Sequence, residues 1–466
     1  MKGQERMAQI IARSLAEHRE RSMSVLVIFL VFALVILTIM GTGTTAFASL
    51  LGIVLCVICL FRREARIDWW IFIPLALYLL MNFLSAWKAY GDPLFGYGPT
   101  QLIYLSLYAA VCSLRSNEMR SLRALCVLWA GVTAVIGIGG FIFQTFDATA
   151  TRLEFVVGTP NGLGIFLVLS WFALQSCRLE QQKGMLFKVI DRLEPVILVA
   201  LALTLSMGSF AALLVGFIVL FISRARATSF GETLKYAASL LARIVLSLGV
   251  GLLMYMAAER ANAPILCLVI AAYVVAMVCL WKRFTVFLEE KRKCAFGLSI
   301  VGLLCIPFAL FMRPNALATF NERFAMMQNG LEYLGKDPVF GTGPFTWRFL
   351  NIQDSGLYYN TNHIHNMFIH AGVEFGLIAM IALIVIAVRF FIKRYKEAQH
   401  GEGAAFLFHM LTDTGFFYLG VVGAFILTAG GANSQEVTSR SIATRAIFGI
   451  LALLHFAILW MYIASF

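Results

Sequence analysis

Three of the seven histidines in this 466-residue chain, His363, His365 and His370, fall within eight residues of one another. Imidazole changes charge close to neutral pH, so such a cluster points first to a general base that takes the proton of an attacking hydroxyl. A helix starting near Asn366 would set unpaired backbone amides beside His365 and favour its uncharged, proton-accepting form. Glu374 follows His370 by four residues, on the same helical face, where the two can hydrogen-bond. Two other uses fit these residue types: histidines at a membrane surface that only bond headgroups or cap a helix, and a His-x-His zinc site, for which no nearby cysteine or clear third ligand stands in the sequence. Arg323, Arg440 and Arg445 are candidate cations. A guanidinium grips phosphate with two hydrogen bonds and keeps its charge, although arginines beside apolar segments also anchor proteins to headgroups.

These residues must be held by elements that lie in a bilayer. Hydrophobic residues make up 60% of the chain and charged residues 13%, and the mean hydropathy is +0.83, too apolar for a water-soluble domain of this length. A hydrocarbon core about 30 Å thick calls for roughly 20 apolar residues per helix. Fourteen such runs are centred near Phe32, Leu51, Leu77, Leu107, Val135, Leu167, Ala200, Gly216, Leu248, Ala271, Gly302, Ala382, Val422 and Leu454. With the N-terminus in the cytoplasm, 28 Lys and Arg residues fall on that side and 9 on the other, the bias expected of short cytoplasmic loops. An even number of spans then puts both termini inside.

The net charge of +12 follows from this split and implies affinity for anionic membrane lipids, not nucleic acid, since no basic stripe interleaved with aromatics is present. The first apolar run, Val25 to Met40, exceeds the roughly 7–15 residues of a signal-peptide core and reads as an anchor. Before it, Met7, Ile10, Ile11 and Leu15 recur at helical spacing among basic residues, as in a helix lying on the inner surface. The nine cysteines sit mostly within spans and read as small packing residues.

The expected fold is therefore an all-α, polytopic transmembrane bundle of about 12–14 spans with one long extracytoplasmic loop containing helices. Residues 1–23 form the cytoplasmic amphipathic segment and 24–312 the main bundle. The large loop covers 313–370, and 371–466 supply the C-terminal transmembrane helices. Connections as long as that loop are uncommon without a function. Inside it, Phe324, Met327, Leu331 and Leu334 predict an amphipathic helix over Asn321–Leu334, broken by Gly335-Lys336-Asp337-Pro338 and followed by a tight turn at Gly341-Thr342-Gly343-Pro344. An aromatic, polar stretch through Tyr358 and Tyr359 leads to the histidines.

His363-Ile364-His365-Asn366 followed by Ala371-Gly372-Val373-Glu374-Phe375-Gly376 resembles the signature that ends the large periplasmic loop of O-antigen ligases. Three further stretches are similar to that family: Asn321-Glu322-Arg323 with Gly330-Leu331 and Pro338-Val339-Phe340-Gly341, then Thr438-Ser439-Arg440-Ser441-Ile442, and the Pro-Asn turn in Gly158-Thr159-Pro160-Asn161. The resemblance implies an O-antigen ligase or polymerase, a membrane glycosyltransferase of the inner membrane with a periplasmic site. His365 would be the catalytic histidine, with His363 beside it. Asn366, Glu374 and His370 would support them, and Arg323 and Arg440 would face the diphosphate. The donor would be an undecaprenyl-diphosphate-linked glycan and the acceptor a glycan or lipid A core sugar, with no cofactor and no metal. Two departures stand out. The turn Leu205-Ser206-Met207-Gly208-Ser209 lacks the family's usual arginine, for which Arg260 or Arg445 would substitute, and an inserted helical hairpin over 238–281 raises 12 spans to 14.

The implied chemistry is one inverting displacement, in which the diphosphate leaves and cations absorb its charge. A polymerase, whose acceptor is another lipid-linked repeat unit, fits the same motifs. A transporter or flippase of lipid-linked glycan is the rival of another class. Against it, the spans hold almost no ionisable side chains apart from His409 and His455, whereas coupled transport needs them.

Overall fold

The computed structural model describes residues 24–40, 44–62, 67–304, 316–355, 361–392, 397–430 and 442–464. The N-terminal amphipathic segment, Arg313, the Tyr358-Tyr359 stretch and Arg440 lie outside the described residues. Among the described residues regular structure is all helical. The first half comprises α1 (Val25–Ile39), α2 (Thr45–Leu60), α3 (Trp69–Tyr90), α4 (Gly98–Cys112), α5 (Ser116–Phe146) and α6 (Pro160–Leu179). After the short α7 (Met185–Arg192) come α8 (Glu194–Leu203), α9 (Met207–Ala227), α10 (Phe230–Tyr255), α11 (Pro264–Glu290) and α12 (Arg292–Leu304). The loop folds into α13 (Ala316–Lys336) and α14 (Thr346–Ser355). The chain then continues through α15 (Met367–Phe375), α16 (Leu377–Ile392), α17 (Glu397–Thr412), α18 (Leu419–Ala429) and α19 (Ile442–Ala464).

The chain is a polytopic helical membrane protein. Among the described residues seven helices are long and apolar enough to cross a membrane, and shorter apolar helices include α1, α2 and α18. Each of the fourteen predicted centres lies on a helix. Hydrophobicity on all faces assigns the centre of the bundle: every residue of α4 is buried, as is nearly all of α6, whereas α11 and α19 expose most of their apolar surface to the surrounding lipid. Six of the described cysteines are buried thiols, as packing residues would be.

One helix packed along the bundle was not foreseen. Glu397–Thr412 carries Glu397, Gln399, His400, Glu402 and His409, too polar to read as a span, yet it lies antiparallel to α9 along its length. Gly208 faces Thr412 and His409 at one end, and a Cβ on Gly216 would meet the Gly401 carbonyl oxygen at 2.5 Å, so glycines let the two backbones touch. Near the other end Ser223 Oγ lies 3.1 Å from His400 Nδ1.

The expectation that the spans hold almost no ionisable groups besides His409 and His455 is also corrected. Glu194, fully buried at the start of α8, is held by Arg178 at 2.8 Å and Arg243 at 3.1 Å and accepts from the indole nitrogens of Trp171 and Trp281, each at 3.0 Å. Hydropathy averages concealed these charges because they neutralise one another inside the helix cluster. Arg243 and Trp281 also tie the proposed inserted hairpin, now α10 and α11, into the bundle.

The loop is strapped to the helix that follows the histidines. Thr342 N donates to Val373 O at 2.8 Å, Gly343 N to Glu374 O at 3.1 Å and Leu377 N to Pro338 O at 2.7 Å. Gly376 makes this approach possible: its φ is 88° and a Cβ there would sit 2.1 Å from Val339 O. The predicted loop helix is α13, ending at Lys336 where the Asp337-Pro338 break was read.

Candidate functional site

Asn366 sets the position of His365. As the N-cap of α15 its side chain accepts from the amides of Phe368 and Ile369, both at 3.1 Å, the usual role of asparagine there. Its Nδ2 donates to Leu411 O at 3.2 Å, which pins the start of α15 to the end of α17. His365, the residue before the cap, then meets the residue after α17: its Nδ1 lies 3.3 Å from Asp413 Oδ1.

Asp413 is the hub. Its backbone neighbour Thr414 donates an amide to Oδ1 at 2.8 Å, Asn161 Nδ2 donates to Oδ2 at 2.6 Å, and Arg323 Nη2 lies 3.4 Å from Oδ2. Burial by itself would raise the carboxyl's pKa, but the hydrogen bond with His365 and the charges of His365, His409 and Arg323 outweigh it and hold Asp413 below the usual carboxylate range. An ionised Asp413 accepts the Nδ1 proton of His365, which leaves Nε2 as the ring's proton acceptor. His365 is 21% exposed at its side chain and Arg323 15%, so the cluster is open to a substrate. Arg323 also donates Nη1 to Thr412 O at 2.6 Å. Its Nε is buried and has no acceptor among the described residues.

The turn without an arginine belongs to the same cluster. Ser206 caps α9, Ser209 Oγ lies 3.4 Å from Asn161 O, and an arginine from another segment reaches in. Arg152 donates Nε to Thr204 O at 2.8 Å and Nη2 to Asn161 Oδ1 at 3.1 Å. Arg260 pairs instead with its neighbour Glu259 at 3.0 Å. Arg445 is exposed at the start of α19, and no described contact joins it to the histidines. The connection before it leaves from Gly430, which lies against Val111 at the end of α4 remote from the site. The expected diphosphate role for Arg260 and Arg445 thus finds no geometric support, and Arg152 stands where the substitute was sought.

Behind His365 lies a second layer. His363 Nδ1 is 3.3 Å from Tyr97 Oη and 3.3 Å from His370 Nε2, and its ring stacks on Phe417 at 4.6 Å. His370 Nε2 is 3.4 Å from Glu374 Oε2, both side chains fully buried. Burial, with His365 nearby, pushes His363 down to about 4 against the weaker pull of Asp413, so His363 is uncharged at neutral pH. Between about 4 and the unfolded value near 6.5 the unfolded chain binds a proton that the folded chain refuses. Stability therefore falls as pH drops through this window, by at most about 3 kcal/mol for this group. Unfolding measured from pH 7 to 4.5 should show a shallower pH dependence in His363→Gln than in the wild type. An unchanged slope would mean that His363 is not the group refusing the proton.

Sequence reasoning missed Asp413, Arg152 and Tyr97. The one available signal for Asp413 was a lone acid between Thr412 and Thr414 at the foot of two apolar segments. Among the described residues, no three His, Cys, Asp or Glu side chains come together in a way that would hold a metal ion.

Residues 196–384 match the family model described as O-antigen ligase, which bears out the resemblance to O-antigen ligases and polymerases. The match includes Arg323, the three clustered histidines and the strapped loop, and stops before Asp413. No curated protein matches the chain.

Proposed function

We propose, from the match of residues 196–384 to the O-antigen ligase model, that the chain transfers a glycan from undecaprenyl diphosphate to a lipid A core sugar at the periplasmic face of a bacterial inner membrane. The reading rests on the His365–Asp413–Arg323 cluster, an oriented proton acceptor beside a partly exposed guanidinium. The acceptor hydroxyl attacks the anomeric carbon as its proton passes to His365 Nε2. The bond from that carbon to the diphosphate oxygen breaks, and the electron pair leaves with the polyprenyl diphosphate, inverting the anomeric centre. Arg323 and Arg152 neutralise the departing charge, the work a divalent cation does elsewhere.

The N-terminus lies in the cytoplasm. Counting α17 as a crossing brings the C-terminus to the side of the site and moves Arg440 and Arg445 to the cytoplasmic side, which sharpens the asymmetry of basic residues.

Purified protein supplied with lipid-linked donor and lipid A core acceptor tests the reaction. Transfer to the core supports a ligase, whereas lengthening of the glycan on its own lipid makes the protein a polymerase with the same site. Glycolipid binding with no bond made or broken by folded protein would overturn both in favour of a transporter. Arg323→Ala should lower kcat/KM for the donor about 10–100-fold, the loss expected when one or two charge-assisted hydrogen bonds go, and Arg323→Lys should recover part of it.

A further inference from the structure

A cavity of about 470 Å³ opens at the end of the bundle away from the histidines, between α5, α6, α9 and α17. Its distance from the site follows from its own helices: His400 in its wall is twelve residues before Thr412, about 18 Å along α17. Three guanidinium groups line it, Arg120, Arg224 and Arg226, together with His400, Ser176 and Glu180. Glu180 does not cancel them, because its Oε1 is held at 2.7 Å by Arg123, while Arg120 is 3.9 Å from Oε2. Arg224 is steadied with its guanidinium 4.1 Å over the ring of Tyr236, and His400 by Ser223 at 3.1 Å. Ser176 is only 3% exposed, and its hydroxyl has no hydrogen-bond partner among the described residues. A buried hydroxyl left in that state is costly unless a ligand or solvent meets it.

We propose that this cavity binds a phosphate-bearing anion, and that it is a site separate from the one at His365. Its size is that of a small-molecule pocket, and its groups suit a phosphate: planar guanidinium forks for the charged oxygens, with hydroxyl and imidazole donors around them. The phosphate has two sources, the headgroup of an anionic lipid in the same leaflet or a soluble phosphate compound.

Native mass spectrometry of the full chain distinguishes them. Protein released from nanodiscs of phosphatidylglycerol and phosphatidylcholine should retain phosphatidylglycerol. Arg224→Gln/Arg226→Gln should retain about tenfold less, and Lys282→Gln/Arg283→Gln, equally basic and exposed on α11, should match the wild type. If instead delipidated protein binds inorganic diphosphate and the Arg224/Arg226 variant does not, the ligand is soluble and the site stands. Equal retention by all three proteins without diphosphate binding overturns the proposal. So does an equal loss in both double variants, which would reflect only the general attraction of a basic face for anionic lipid. Should the double variant fail to fold, the exposed single change Arg226→Gln, expected to lose about threefold, decides by the same comparison.

Discussion

Replacing His365 with alanine is expected to lower glycan transfer roughly 10²–10⁴-fold, the usual worth of a positioned general base, while the protein folds and inserts as before. The second half of that expectation comes from packing. His365 is partly exposed, and its ring nitrogen bonds a carboxylate that Asn161, Thr414 and Arg323 also hold, so its loss neither empties a core cavity nor strands Asp413. Truncating His370 would be different, because that ring is fully buried between His363 and Glu374, and its removal would cost stability along with any activity. The measurement is initial-rate transfer with lipid-linked donor, alongside the melting temperature of the same preparation. Transfer at the wild-type rate by His365→Ala would end the assignment of this residue and, with it, the proposed mechanism.

How far the sequence reached depends on the range over which each signal acts. Apolar runs report burial of a helix residue by residue, so every predicted centre from Phe32 to Leu454 fell on a helix. Asn366, Gly341, Gly343 and the Asp337-Pro338 break act through their own backbone and were equally legible. The helix Glu397–Thr412 was not, because what buries it lies far off in the sequence: Glu402 accepts from Thr428 on the neighbouring helix, and Gly401 and Gly403 admit the α9 backbone and the ring of Phe390. A hydropathy average counts such a segment as wet when the fold keeps it dry. Asp413 was hidden for the related reason that a carboxylate reveals its role only through what folds against it, and its three side-chain partners come from positions 161, 323 and 365.

The arginine missing after Ser206 shows the same separation of position from function. A site needs positive charge at a point in space, and the chain delivers it there from Arg152, whose bond to Thr204 O fixes it to the very turn that lacks its own cation. Asn161 joins this arginine to Asp413, so the Pro-Asn turn, the bare turn and the end of α17 behave as one hydrogen-bonded unit. A change at any of the three should be felt at His365.

Asp413→Asn tests that unit most directly, and about a hundredfold fall in kcat is expected with a smaller change in donor KM than Arg323→Ala produces. An asparagine keeps the size but replaces one acceptor oxygen with an amide NH2 that only donates. Oδ1 now takes protons from His365 and Thr414, and Oδ2 from Asn161 and Arg323. Whichever way the amide turns, a donor faces a donor, and the negative charge that balances a protonated His365 in the transition state is gone. Carboxylate-to-amide changes beside a catalytic imidazole cost up to about 10⁴-fold where they enforce the wrong tautomer. The smaller figure here reflects a 3.3 Å contact partly open to solvent. Because Asp413 works through His365, the double variant with His365→Ala should be no slower than His365→Ala alone. Additive losses would instead give Asp413 a role of its own, such as holding Arg323 for the diphosphate, and would remove it from the proton path.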